Sequence, residues 1–161
     1  MSKIIFSNSD GTLSFIVPCL NEVNPTTGQP FTIQEIADKD LPAGISTYSI
    51  VEDSVIPTDI DFREAWVGVG IGTTGGTISQ DITKAKEIHK TNIRAARTPL
   101  LAALDVEFQK AQETSAGITT IVAKKQVLRD APAASGISTA ANTTELKAQW
   151  DTSILGTSPY S

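Results

Sequence analysis

Residues 81–113, DITKAKEIHKTNIRAARTPLLAALDVEFQKAQE, constrain this chain more than any other stretch. Ile82, Ala85, Ile88, Ile93, Ala96, Leu100, Leu104, Phe108 and Ala111 recur at spacings of three to five, which places them along one face of a long amphipathic helix. Pro99 falls inside the run. It is compatible with a kink or with a restart capped by Thr98, and a kinked continuation is the expectation. After the break at TSAG, Ile118, Ile121, Val122 and Leu128 form a second apolar stripe, long enough to fold back on the first as a helical hairpin. An Ala/Ser-rich loop leads to NTTELKAQW, a short capped helix whose Trp150 is expected to pack back onto the hairpin, and then to a polar tail.

The first half has a different character. KIIF and TLSFIVP flank the pair Asp10-Gly11, which predicts an N-terminal β-hairpin. Thr32 and Glu35 stand at capping-box spacing ahead of a short helix closed by Pro42 and Gly44. ISTYSIVEDSVIP reads as a further strand, and TDIDFREAW as a turn carrying Phe62 and Trp66. Between the halves lies GVGIGTTGGT. Its Gly70, Gly72 and Gly75 have the literal G-x-G-x-x-G spacing, but a dinucleotide site needs a buried strand running in and a helix starting on the glycines. Upstream there is no apolar run, and downstream GTISQ separates the last glycine from the helix. The composition instead predicts a flexible connector. The expectation is an α+β chain with an acidic strand-rich unit at 1–67, a Gly/Thr-rich linker at 68–80 and a helical hairpin with a short C-terminal helix and tail at 81–161.

Charge separates the halves too. Residues 1–80 hold ten acids against three bases and residues 81–161 eight against ten, within a net charge of −5. The bases of the second half are interspersed with acids, so nucleic acid is not an expected partner. No apolar run approaches the roughly 20 residues that span a bilayer, and the N-terminus lacks the apolar core of a signal peptide, so neither a membrane role nor export is expected.

Candidate chemistry is sparse. The single cysteine, Cys19, reads as a small buried residue in an apolar strand, and the single histidine, His89, as a surface or edge residue of a charged helix. Asp59, Asp61 and Glu64 lack the ordered acid series and glycine of a calcium loop and read as solvated turn residues. Neither a catalytic triad nor metal-ligand spacing stands out, so no catalytic, cofactor-binding or metal residue is assigned. Trp66 fits either a core position or an anchor for a partner.

Two groups of residues carry a resemblance. In the second half these are Lys90, Ile93, Arg94, Ala96, Arg97, Pro99 to Leu101 and Leu104 to Phe108, then Ala123, Lys125 and Leu128 to Asp130, then Glu145 to Lys147 with Trp150. In the first half, DLPAGISTYSIVEDSVIPTDIDFREAW contributes Asp40, Pro42, Gly44, Tyr48, Ile50, Val51, Pro57, Asp59, Phe62, Arg63, Ala65 and Trp66. Both resemble segments of small tail-fibre-associated proteins of tailed bacteriophages. The resemblance covers about two thirds of the chain and leaves out the N-terminal hairpin and the glycine stretch. It implies a non-enzymatic component or adaptor of the virion tail, made in the host cytoplasm, or alternatively a chaperone of tail-fibre assembly. The partners it implies are tail or tail-fibre proteins, and further copies of the chain, as a homo-oligomer, are a second candidate partner beside them. Phe62, Trp66, Leu100, Leu101 and Trp150 are the partner-binding candidates, the last three around a groove that an unoccupied client site would leave open.

Overall fold

The run Ile4-Ile5-Phe6 is apolar without alternation because the strand that carries it is covered on both faces. In the computed structural model, which describes residues 1–73 and 75–160, β1 (Ser2–Ser7) is the middle strand of an antiparallel sheet, between β2 (Leu13–Ile16) and β3 (Tyr48–Glu52). Asp10-Gly11 makes the expected turn. Gly11 takes φ +77°, and the Asp10 carboxylate accepts hydrogen bonds from the Thr12 N–H (2.9 Å) and hydroxyl (2.6 Å).

Register sorts the two faces. Ile4 pairs with Ile16 and Ile50, and α1 (Ile33–Asp40) covers Ile4 through Ile36 and Ala37, with Phe31, Leu41 and Tyr48 at the margin. Full burial of Ile4 and Ile36 stabilises by roughly 1.5–3 kcal/mol per side chain. The helix starts where the capping box predicted. The Thr32 hydroxyl oxygen accepts from the Glu35 N–H (3.2 Å), and the Glu35 carboxylate accepts from the Thr32 N–H (2.8 Å). That backbone hydrogen bond, then the Thr32 hydroxyl, holds the Glu35 carboxyl below its ordinary pKa.

Ile5 pairs with Phe15 and Ser49 on the opposite face, the side of a second antiparallel sheet, β4 (Trp66–Val69) with β5 (Thr77–Gln80), which contacts β1 and β2. A 3₁₀ turn at Arg63–Ala65 precedes β4, and the Arg63 guanidinium lies 5.4 Å from the Phe15 ring centroid.

Residues 68–80 are therefore not a flexible linker. They are most of a β-hairpin, and its turn is docked on β3; Thr74 within it lies outside the described residues, as does Ser161 in the tail. Gly70, Gly72 and Gly75 take φ of +67°, +91° and +93°. The Ser49 hydroxyl oxygen accepts from the Gly72 N–H (2.9 Å) and donates to the Thr73 carbonyl (3.3 Å). A Cβ on Gly72 would lie 2.5 Å from Thr47 Cγ2, and one on Gly76 2.5 Å from Ser49 Oγ. Glycine is required here by close approach and by backbone conformation, which leave the same compositional trace as flexibility. The glycines lead into β5 rather than into a helix. The chain divides into two compact units, 1–81 and 82–161, so the first ends fourteen residues later than expected. Cys19 also departs from expectation: β2 stops at Ile16, and the thiol is exposed.

The second unit is built on α2 (Ile82–Glu113), a single 32-residue helix that runs through Pro99. Pro99 cannot donate to the carbonyl of Ala95, and Ala95 is exposed, so water can serve that group. The Thr98 hydroxyl donates to the Arg94 carbonyl (2.8 Å) in the same turn. α2 ends in a Schellman motif: Ser115 takes φ +56°, Ala116 N–H reaches the Ala111 carbonyl (2.8 Å) and Ser115 N–H the Gln112 carbonyl (3.2 Å). This reversal lets α3 (Thr119–Asp130) return antiparallel along α2, as the hairpin reading anticipated. Arg97 donates to the carbonyls of Leu128 (3.2 Å) and Arg129 (2.6 Å), capping α3, while Lys125 pairs with Asp105 and lies 4.9 Å from the Phe108 ring centroid. A 3₁₀ turn at Ala131–Ala133 and three short helices follow: α4 (Ser135–Thr139), α5 (Thr143–Lys147, capped by Asn142) and α6 (Thr152–Leu155, capped by Asp151).

Chemical denaturation should separate the roles of the glycines. Gly72→Ala, with both a positive φ and a clash, should cost about 2 kcal/mol or more. Gly75→Ala, with open space around its Cβ, should cost only about 1 kcal/mol. Ser115→Gly should stabilise the second unit by about 0.5–1 kcal/mol by removing a Cβ from a left-handed position.

Candidate interaction surfaces

The five candidate partner-binding residues do not form one surface. Phe62 and Trp66 are buried in the first unit, Trp66 with its indole Nε1 lacking a hydrogen-bond partner among the described residues. As they stand, neither can anchor a partner. Of the two readings of Trp66, the core position is the one observed, because the turn at 63–65 directs the chain into β4 against the sheet.

Trp150 is buried as well, and packs back onto α2 as expected. Its indole N–H donates to the Gly156 carbonyl (3.0 Å), and its ring meets His89 and Tyr160 edge-on, at centroid distances of 6.2 and 5.8 Å. His89 is not a surface residue. It is 0% exposed, its ring stacked on Tyr160 (5.4 Å, 15°), with Nδ1 2.6 Å from the Tyr160 hydroxyl. Its Nε2 has no partner among the described residues. Burial lowers its pKa to about 4, so the imidazole is neutral at physiological pH. The sequence signal that was available is spacing: His89 lies four residues after Ala85 and four before Ile93, in the middle of the buried stripe. Its charged neighbour Lys90 obscured that position.

Leu100 and Leu101 remain near the surface. Leu100 is 36% exposed and lines an open groove of about 510 Å³ between α2, α3 and α6, with Leu104, Val127, Leu128 and Ile154. Glu107 and Lys124 add one charge of each sign to its lining. Leu101 is half-buried and Trp150 is not part of the groove, so the expected cluster reduces to Leu100 with partners on α3 and α6.

A second concavity in the same unit, about 380 Å³, is lined by Lys90, Arg94 and Arg97 of α2 and by Arg129 at the end of α3. Along the sequence these bases are interspersed with acids, and their convergence is not legible there because Arg129 joins the others only through the hairpin.

Among the described residues, no group of three or more His, Cys, Asp or Glu side chains is gathered as a metal site would require, and no helix is long and apolar enough to cross a membrane. The His89 environment gives a measurable consequence. An unfolded histidine binds a proton near pH 6.5 and the folded one only near pH 4, so the unfolded state gains protons first on acidification. The His89 contribution to stability should therefore be constant above about pH 6.5 and be lost between 6.5 and 4, by about 3 kcal/mol. Denaturation followed over that range should show this slope, and His89→Phe should flatten it. No protein-family model, curated protein or solved structure matches the chain.

Proposed function

We propose that this chain is a small non-enzymatic protein of a bacteriophage tail, an adaptor that acts by protein–protein binding and is retained in the virion. The observation that carries the reading is how the residues of the tail-protein resemblance meet in space. Arg97 from the first of the helical segments bonds the carbonyls of Leu128 and Arg129 in the second, and Asp105 and Phe108 of the first engage Lys125 of the second. Residues that share a pattern along the sequence thus also share the contacts that close the α2–α3 hairpin. The groove at Leu100 on that hairpin is the apolar surface that a tail or fibre protein would cover.

Assembly chaperoning is the second reading, favoured by the same groove being open in the isolated chain. Quantitative mass spectrometry of density-purified particles and of the lysate that produced them distinguishes the two. A fixed copy number per particle is the expected outcome. Absence from particles together with abundance on fibre protein in the lysate would replace the adaptor by the chaperone, and absence from both would sink the tail assignment.

A further inference from the structure

We propose that the cleft between α2 and the segment joining α3 to α4 binds a carboxylate presented by an acidic peptide segment of a partner protein. Lys90, Arg94 and Arg97 follow one another at i, i+4 and i+7, so the pitch of α2 puts all three on one face. Arg129 in the last turn of α3 closes the other side, and the buried Pro132 and Ile137 provide an apolar floor. Among the described residues, no carboxylate lines the cleft. Two neighbouring acids are already engaged: Glu87 pairs with Lys90 (2.8 Å) and also feels the charge of Arg94, and the Asp130 oxygens accept from the Gln126 amide (2.9 and 3.0 Å).

A purely structural role accounts for only part of this set. Cations near a helix C-terminus satisfy its last carbonyls and its dipole, and Arg97 does so for α3 with two hydrogen bonds. That task fixes the Arg97 guanidinium in the cleft. Among the described residues, neither Arg94 nor Arg129 donates a side-chain hydrogen bond to the protein, so both planar forks remain available to a ligand that accepts two hydrogen bonds at once. A carboxylate on an aliphatic stem matches both features: its oxygens meet the guanidinium groups and its methylenes lie on Pro132 and Ile137.

Nucleic acid fits less well. The chain is acidic overall, at −5, and the aromatic rings of the unit that would stack on bases are occupied, Trp150 and Tyr160 with His89 and Phe108 with Lys125. In the tail reading, on which its biological setting rests, the ligand is an acidic stretch of the protein to which the chain attaches. A titration with purified chain separates failure of the cleft from failure of that assignment.

Fluorescence anisotropy of the full chain with a labelled, end-blocked Leu-Glu-Glu-Leu-Glu-Glu peptide, beside a pentathymidylate of equal charge, tests the proposal. The peptide should bind saturably and more tightly than the oligonucleotide, and more weakly as salt is raised. Arg94→Glu with Arg129→Glu should weaken peptide binding at least about tenfold, whereas the same charge change at the exposed Lys84 and Lys110, outside both concavities, should leave it within about twofold. Arg94→Gln with Arg129→Gln replaces the first pair if circular dichroism shows that it unfolds. Absence of saturable peptide binding, tighter binding of the oligonucleotide, or equal weakening by both pairs of changes would overturn the proposal.

Discussion

Most of the second unit is arranged to cover one stripe on α2. Ala85, His89, Ile93, Leu104 and Ala111 are its buried residues, and α3, the turn at 131–133, α5 and α6 all contact it. A helix of 32 residues with a single apolar face is not stable alone in water; its stability comes from what packs against that face. The distal part is covered by α3, held in register by the carbonyl cap of Arg97 and the ion pair of Lys125. The proximal part is covered by the C-terminal segments, whose last described residue, Tyr160, stacks on His89. Lys86 adds a further tie, donating from Nζ to the Ser138 carbonyl (2.7 Å).

The coverage is uneven, and the binding surfaces follow from that. Trp150 and Tyr160 close over His89, which is fully buried. α3 by contrast buries only Leu128 fully, and Val122 and Val127 stay 45% and 47% exposed. An antiparallel helix pair has no third layer, so apolar side chains that point away from the seam remain at the surface. The groove at Leu100 is the result. The basic cleft arises at the C-terminal end of α3, where the cap that closes the helix also gathers guanidinium groups.

The first unit depends on a different constraint. β1 is buried on both faces and needs two covering layers, which α1 and the β4–β5 hairpin supply. Covering the second face brings the backbone of the β4–β5 turn against the Thr47 and Ser49 side chains, and Gly72 and Gly76 are the residues that permit it. The buried Ser49 of β3 supplies the hydroxyl that both holds Gly72 and reaches Thr73.

Local patterns were legible wherever one period or one motif acted alone. The three-to-five spacing of α2, the break before α3, the Asp10-Gly11 turn and the Thr32–Glu35 box each follow from backbone geometry and short-range hydrogen bonding, and each is present in the structure. The α+β class followed from them. What tertiary structure alone decided is which surfaces meet. Glycine content does not distinguish a loop free in solvent from one pressed onto β3, because both select for a missing Cβ. His89, Phe62, Trp66 and Trp150 were placed by long-range packing, and Arg129 joined Lys90, Arg94 and Arg97 only because the hairpin returned it to α2. Burial and charge convergence depend on contacts between residues distant in sequence, and no local period encodes those.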